Sequence, residues 1–188
     1  MGRYFVGIDV PETIGEDKLV PLTRRLDPLL AVKRWYHPQQ FHLTVQFMGE
    51  LSEAQVEELK RLVTPHALSH QPFALSLGEL GWFPRAKVVW CGVRGELEPL
   101  QAVYRAVSEA LKPLGAAQFH YDPFRPHITL GRLREADSKF RPNTVETADL
   151  FGGDASWTVK GLHLYESVSG GPNGPQYPIR HTFWFGQE

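Results

Sequence analysis

The stretch FHLTVQFM, from Phe41 to Met48, alternates between apolar and polar side chains as far as Phe47 and decides the local fold. One parity is apolar throughout, and the other carries His42, Thr44 and Gln46. Such alternation is typical of a β-strand with one face covered by a core. We therefore expect His42 and Thr44 to share the less apolar face of a strand.

A second stretch of the same form, FRPHITL, occupies Phe124–Leu130. Its polar parity carries Arg125, His127 and Thr129, so the chain holds two copies of a His-x-Thr-x tetrapeptide, beginning at His42 and His127. Histidine titrates nearer to neutral pH than other side chains, and two converging imidazoles can supply a general acid and a general base. The duplication predicts an active site divided between two halves of the protein.

The remaining pattern predicts a mixed order of helices and strands. The predicted strands are Tyr4–Val10, Phe41–Met48, Phe73–Leu80, Lys87–Val93, Phe124–Leu130, Ser156–Ser167 and His181–Phe185. The predicted helices are Glu12–Leu30, Ser52–Val63 with Ser52 as its N-cap, and Leu97–Leu111. The Gly- and Pro-rich segment Gly170–Pro178 predicts a turn region.

Composition sets limits on the class of protein. A chain of 188 residues with 42% hydrophobic content can bury about 70% of its extended surface without a partner. No linker or low-complexity block divides it, so we expect one domain over residues 1–188. The single cysteine, Cys91, and an N-terminus without a signal-like segment predict a cytoplasmic protein.

The charge distribution argues against a protein that coats long nucleic acid. The net charge is −1, which gives no global attraction for a polyanion, although a short RNA end remains compatible. Positive residues are locally clustered, at Arg24, Arg25, Lys33, Arg34, Arg125, Arg132 and Arg134. Such clusters are most often solvated surface, and Arg125 and Arg132 stand out only because they flank the second motif.

The paired motifs resemble those of the two-histidine (2H) phosphoesterases, in particular the bacterial RNA 2′,3′-cyclic phosphodiesterase branch, also called 2′-5′ RNA ligases. The resemblance includes the opening Arg3–Ile8, the run Phe41–Gly49 and the run Arg125–Arg132, and so extends over most of the chain. It implies an α+β fold with two pseudo-symmetric lobes, each an antiparallel sheet with outer helices, flanking a central groove.

The resemblance also implies an activity, the hydrolysis of a terminal RNA 2′,3′-cyclic phosphate to a 2′-phosphomonoester without metal or cofactor. It assigns His42 as the proton donor to the leaving 3′ oxygen and His127 as the proton acceptor that activates water. The near-identity of the two motifs does not itself decide this direction. The reverse reaction, joining RNA ends through a 2′-5′ bond, is expected to be secondary.

Four further residues are candidates for substrate binding. Thr44 and Thr129 follow each histidine by two positions and can donate to phosphate oxygens. Arg125 shares the parity of His127, whereas Arg132 matches a phosphate-binding arginine of the family. Since Arg132 follows His127 by an odd number of residues, it faces the histidines only if the strand bulges near Gly131 or ends there in a turn.

Other chemistries fit the sequence less well. The eight histidines include no His-Glu-x-x-His spacing, no Cys-x-x-Cys pair is present, and no Gly-x-Ser-x-Gly motif indicates a serine nucleophile. The other six histidines are best interpreted as structural. Trp35 and Trp82 are the tryptophans that we expect to stack on a base.

Two alternatives remain open at this stage. The chain could be a non-catalytic module that binds RNA ends, or a phosphodiesterase acting on a nucleotide such as ADP-ribose cyclic phosphate. The expected partners are RNA ends with a 2′,3′-cyclic phosphate, of which transfer RNA fragments are one source. We expect no membrane contact and a monomeric protein.

Overall fold

Ten strands among the described residues, antiparallel wherever they pair, form the framework of the protein. The computed structural model describes residues 1–119, 123–136, 139–151 and 155–186. The strands are β1 (Gly2–Asp9), β2 (Val32–Trp35), β3 (His42–Leu51), β4 (Phe73–Phe83), β5 (Val88–Gly95), β6 (His127–Leu133), β7 (Ser156–Val159), β8 (Gly161–Gly171), β9 (Gly174–Gln176) and β10 (Ile179–Trp184).

The sheet consists of two halves that meet at the two motif strands. Its order is β10-β8-β1-β3-β6-β5-β4-β7, with β2 paired to β6 and β9 paired to β8. Strands β3 and β6 are joined through one pair of opposed residues, Leu43 and Ile128, which are both fully buried. The antiparallel sheets implied by the family resemblance are confirmed, and this pair joins them into a continuous layer.

The two ends of the sheet lie close together. Strand β7 is at one end of the strand order, whereas β8 belongs to the other half, and Lys160 alone connects them. Consecutive Cα atoms are only about 3.8 Å apart, so the sheet must curl until its ends meet. The curl gives the layer a concave face.

Helices pack against the sheet and against one another. The helix Glu53–Ser69 contacts β3 and β10, and the helix Leu97–Ala110 contacts β3 and β4. A third helical segment covers Glu12–Leu29 through α, π and 3₁₀ turns. Apolar residues from both halves form one buried cluster. Among the described residues, no helix is both long and apolar enough to span a membrane.

Most of the predicted elements are present, with shifted ends. The helix predicted from Ser52 has Ser52 as its N-cap, whose side chain accepts a hydrogen bond from the Gln55 amide. It continues through Pro65 to Ser69, past the predicted end at Val63, and Ala67 in this added turn is buried. Packing therefore extends this helix beyond the end that its sequence predicts. The single domain over residues 1–188 stays a prediction.

Two of the predictions were wrong in part, and one strand was missed. The span Ser156–Ser167 is divided into β7 and β8, which pair with different halves. The segment Gly170–Pro178 contains the short strand β9 as well as a turn, and Val32–Trp35 is a strand that the pattern did not predict. Short strands such as these depend on a neighbouring strand for their hydrogen bonds, which local alternation does not describe.

The alternation of the first motif strand also ends earlier than predicted. Thr44 is opposed to Gly7, but Gln46 is opposed to Val6, so Val45 is an extra residue in a β-bulge. A bulge reverses the alternation, and Gln46 consequently lies on the core side, where it is buried and accepts a hydrogen bond from Ser108. The prediction that Gln46 shares the face of His42 was therefore wrong.

Candidate active site

The junction between β3 and β6 brings both motifs together. Leu43 and Ile128 are opposed there and point into the core, so their neighbours point to the concave face. Because the strands are antiparallel, the register places His42 beside Thr129 and His127 beside Thr44. The four motif residues thus surround one point at the junction of the two halves.

Both imidazoles are anchored in the same way. Nδ1 of His42 lies 2.7 Å from the carbonyl oxygen of Gln40, and Nδ1 of His127 lies 2.7 Å from that of Arg125. A carbonyl only accepts hydrogen bonds, so Nδ1 must carry a proton in each ring. The neutral form of each histidine therefore has its lone pair on Nε2, which is the nitrogen available for proton transfer.

Aromatic rings enclose His42. Its ring centroid lies 4.7 Å from that of Phe5, 4.8 Å from Tyr177 and 5.8 Å from Tyr165. A cavity of about 250 Å³ opens beside it, between Tyr165, Tyr177 and Asp9. This side of the groove offers a largely aromatic wall to a ligand.

A second aromatic wall lies beside His127. The Phe83 ring meets it edge-on at 5.0 Å, and the Trp90 ring lies 5.8 Å away. The Trp90 ring occupies the space beside Gly81 on the neighbouring strand, so a side chain at position 81 would collide with the indole. The rings beside His127 are therefore those of Phe83 and Trp90, whereas Trp35 packs on Gly131 and Trp82 packs edge-on with Phe140.

Burial changes the acidity of both histidines. The pKa of His42 is lowered to about 4, chiefly by burial. The nearby His127 also lowers this pKa, whereas the hydrogen bond to Gln40 raises it. Burial also lowers the pKa of His127, although the hydrogen bond to the Arg125 carbonyl raises it in part. Since each charge disfavours the other, the pair favours holding one proton rather than two.

A β-bulge turns Arg132 toward the histidines. On β6, Thr129 is opposed to Trp90 and Gly131 to Val89, so Leu130 is the extra residue. The bulge reverses the alternation, and Arg132 lies on the same face as Thr129 although the two are three residues apart. The bulge that was predicted near Gly131 is therefore confirmed.

Arg125 is placed differently from the prediction. Strand β6 begins at His127, because Pro126 has no amide hydrogen to donate and residues 124–126 lie outside the ladder. Alternation consequently does not orient the Arg125 side chain, which is exposed. Its observed contact with the site is through its backbone carbonyl, and substrate binding by its guanidinium stays a prediction.

Several site residues carried no sequence signal. Tyr165 and Tyr177 come from β8 and the segment after β9, far along the chain from His42. No local motif marks them, since they reach the site only through the pairing of β8 with β1. Of the other histidines, His120 lies outside the described residues, and His163 is hydrogen-bonded to Asp9 and Thr182.

Neither a metal-ligand cluster nor a reactive thiol is found among the described residues. Within the described ranges, no three side chains among His, Cys, Asp and Glu are grouped as metal ligands would be. Cys91 is fully buried, and burial raises the pKa of its thiol to about 12, so it is an inert core residue.

Comparison with known families and curated proteins gives consistent matches. A family model for the 2′-5′ RNA ligase superfamily matches residues 10–171. An RNA 2′,3′-cyclic phosphodiesterase of Methanocaldococcus jannaschii is 29% identical, over 94% of this chain and 97% of the relative. A protein of the same name from Aquifex aeolicus is 29% identical, over 98% of this chain and 97% of the relative.

Solved structures show the same architecture. E. coli LigT in its apo form has a TM-score of 0.79 at 26% identity, over 99% of this chain and 98% of that chain. LigT complexed with 3′-AMP has a TM-score of 0.78 at 25% identity, with the same coverage. A structure described as a phosphoesterase has a TM-score of 0.81 at 26% identity and covers both chains completely.

Proposed function

Because the chain belongs to the 2′-5′ RNA ligase superfamily, we propose that it is an RNA 2′,3′-cyclic phosphodiesterase that forms a 2′-phosphomonoester. The observation that carries the proposal is the pair of imidazoles on either side of the Leu43–Ile128 junction, each with Nδ1 fixed to a carbonyl. Two Nε2 atoms facing one groove suit a reaction that removes one proton and delivers another.

The reaction opens the five-membered phosphate ring. Nε2 of His127 accepts a proton from water as its oxygen attacks phosphorus, and the bond to the 3′ oxygen breaks. Nε2 of His42 donates a proton to that oxygen, so the charges balance and one proton has moved through the pair. Each such transfer contributes about 10²- to 10⁴-fold in rate.

Because the pKa of His42 is low, this histidine can act as a proton donor only once bound substrate favours its protonated form. A pKa of about 4 leaves His42 neutral near pH 7 in the free protein. A bound phosphodiester is negatively charged, and a negative charge within a few ångströms favours the protonated imidazole. Substrate binding is therefore the event that prepares His42 to donate.

Thr44, Thr129 and Arg132 complete the proposed site. The two threonines occupy equivalent positions beside the Leu43–Ile128 junction, where their hydroxyls can donate to the non-bridging oxygens of the reacting phosphate. Arg132 adds a permanent positive charge on the same face. Transfer RNA fragments are the RNA ends that we propose as a physiological source, and 2′-5′ ligation is the same reaction reversed, with the roles of the histidines exchanged.

The test uses a short RNA ending in a 2′,3′-cyclic phosphate, incubated with the protein in the presence of EDTA. The native protein, His42→Ala and His127→Ala are compared, with His66→Ala on the helix Glu53–Ser69 as the matched control. Phosphatase sensitivity and mass analysis identify the product. We expect a 2′-phosphate from the native protein and the control, and a loss of about 10²- to 10⁴-fold in each active-site variant.

Two outcomes would contradict the proposal. Failure of the native protein to open the ring would favour a module that only binds RNA ends. Equal turnover by the native protein and either active-site variant would show that the two histidines do not perform the chemistry.

A further inference from the structure

Two arginines lie side by side on the concave face, at one end of the groove. Arg34 on β2 and Arg132 on β6 are directly opposed across the paired strands. Directly opposed residues of an antiparallel pair project from the same face of the sheet. Since the bulge at Leu130 turns Arg132 toward the histidine face, Arg34 projects from that face as well.

The guanidinium of Arg34 is held in position by its surroundings. It lies against the backbone of Gly174 in the hairpin of β8 and β9, where an added Cβ would come within 2.6 Å of Nη1 and 2.9 Å of Nε. Gly174 has a positive φ of 90°, which glycine adopts without strain. The Cζ atom of Arg34 also lies 5.8 Å from the centroid of the Tyr36 ring. Arg34 is thus positioned before any ligand binds.

Neither guanidinium is neutralised within the part of the chain that the structure describes. Other arginines pair with carboxylates, as Arg25 does with Asp149 at 2.9 Å and Arg180 does with Glu166 at 2.7 Å. Arg34 and Arg132 form no such pair among the described residues, and Nε of Arg34 is buried without a hydrogen-bond partner. Two adjacent guanidiniums without carboxylate partners are well suited to bind an anion.

This pair lies on the His42 side of the junction. Residues of β6 after Ile128 run alongside those of β3 before Leu43, because the strands are antiparallel. Tyr177 lies between His42 and the two arginines. Its ring contacts His42. Burial raises the pKa of its hydroxyl, and the nearby positive charges of Arg132 and Arg34 act in the opposite direction.

The other end of the groove differs. Val45 and Leu130 are the extra residues of equivalent bulges, so the position equivalent to Arg132 in the first half is Phe47. Phe47 lies beneath the exposed Arg3, whose Cζ is 5.8 Å from the ring centroid. The pseudo-symmetry is therefore broken at this position, and among the described residues the paired guanidiniums mark the His42 end.

We propose that Arg34 and Arg132 form a second phosphate subsite, which binds the phosphodiester on the 5′ side of the terminal nucleotide. The inference rests on the proposed function. Water attacks in line with the leaving oxygen and from the opposite side. With His42 as the donor, the ribose and the RNA chain 5′ to it lie on the His42 side, where the two arginines are. The protein then prefers an RNA end to a free nucleoside 2′,3′-cyclic phosphate.

The experiment compares two substrates that differ by one phosphate, uridine 2′,3′-cyclic phosphate and its 5′-phosphorylated form. The quantity measured is the ratio of their kcat/KM values. Loss of a hydrogen-bonded charge pair in Arg34→Gln is expected to lower the preference for the 5′-phosphorylated substrate by about 10- to 100-fold. Arg34→Lys keeps the charge without the planar fork and should give an intermediate ratio.

Arg3→Gln is the matched control, because it removes the same charge from the opposite end of the groove. We expect it to keep the native ratio. If Arg3→Gln lowered the ratio and Arg34→Gln did not, the RNA would run in the other direction and the proposal would be overturned. An equal loss on both substrates in Arg34→Gln would also overturn it, since Arg34 would then act on the reacting phosphate or on folding.

A binding measurement separates this inference from the proposed function. Calorimetric titration with uridine 2′-phosphate and uridine 2′,5′-bisphosphate requires no turnover. We expect the bisphosphate to bind the native protein at least about 10-fold more tightly, and Arg34→Gln to remove most of that difference. Absence of turnover with every substrate would contradict the proposed function, whereas equal binding of the two ligands by the native protein would contradict the subsite.

Discussion

His42 and His127 have the same backbone anchor but different neighbours. His42 contacts the rings of Phe5, Tyr165 and Tyr177, whereas His127 contacts Phe83 and Trp90. The anchors fix the same tautomer in both rings, so the anchoring cannot distinguish an acid from a base. The distinction must come from the surrounding groups and from the side on which the substrate's ribose is bound.

The two roles predict different effects on the pH–rate profile. His127 must be unprotonated to accept a proton from water, so His127→Ala should lose the acidic limb of kcat. His42 must be protonated to donate, so His42→Ala should lose the basic limb. The measurement is kcat between about pH 5 and pH 9, within which an unperturbed histidine titrates. Identical limbs in the two variants would contradict distinct roles.

The low pKa of His42 predicts a dependence of stability on pH. The unfolded chain binds a proton at the ordinary histidine pKa of 6.5, but folded His42 binds it only near pH 4. Between these values the unfolded state holds more protons, so the free energy of unfolding falls as the pH is lowered. We expect a loss from this residue on the order of 1 to 2 kcal/mol between pH 7 and pH 5.

Urea unfolding at the two pH values measures this effect. His42→Asn removes the titrating group and should lessen the difference between pH 7 and pH 5, whereas His66→Asn should keep the native difference. An unchanged difference in His42→Asn would show that burial of this imidazole does not affect stability.

At the scale of the element, the two bulges decide which side chains enter the groove. In each bulge the extra residue is the last residue of a His-x-Thr-x motif, Val45 in the first and Leu130 in the second. The first bulge turns Gln46 into the core, and the second turns Arg132 to the concave face. Strict alternation would have given the opposite placement in both strands, so the bulges are part of the construction of the site.

Gly131 permits the close approach of β2 to the second bulge. A Cβ at this position would lie 2.6 Å from Cε3 of Trp35 and 2.9 Å from the carbonyl oxygen of Arg34. The backbone oxygen cannot move without separating β2 from β6. We expect Gly131→Ala to lower the free energy of unfolding by about 1 to 3 kcal/mol. It should also reduce kcat/KM, since Arg34 and Arg132 lie on the separated strands.

The control is Gly2→Ala on β1. The atoms that its Cβ would meet belong to the side chains of Glu166 and Tyr4, whose ends can rotate away. Chemical unfolding and kcat/KM of the two variants are compared, and the control is expected to change stability by less than about 0.5 kcal/mol. Equal effects in the two variants would show that the approach of β2 is not specially constrained.

At the scale of the whole molecule, the net charge of −1 limits how RNA is bound. Affinity for RNA must then come from a few local contacts, here the reacting phosphate and the one proposed at Arg34 and Arg132. Two phosphate contacts predict that log KM rises with log salt concentration with a slope of about 1.4.

This salt dependence should not change with RNA length. A dinucleotide and an RNA of about 20 nucleotides, each ending in a 2′,3′-cyclic phosphate, are compared at several salt concentrations. A steeper slope for the longer RNA would show additional phosphate contacts outside the groove. Such a result would contradict recognition of the RNA end alone.

The sequence by itself determined the elements that carry the chemistry. Local alternation identified the motif strands, the Ser52 cap identified the start of a helix, and the repeated His-x-Thr-x indicated a two-histidine site. These features depend on short spacings along one strand or helix, which side-chain periodicity expresses directly. The role of Gly131 in a bulge was likewise predictable, because an odd offset had to be reconciled with a shared face.

Only the tertiary structure decided what surrounds the two histidines. Tyr165, Tyr177 and Arg34 come from strands and turns that reach the groove through pairings distant in the sequence. The same pairings extended β6 past its predicted end and divided the span after Ser156 between two halves of the sheet. Hydrogen bonding between strands and close contacts such as Arg34 with Gly174 arise only when the sheet curls, so no local pattern contains them.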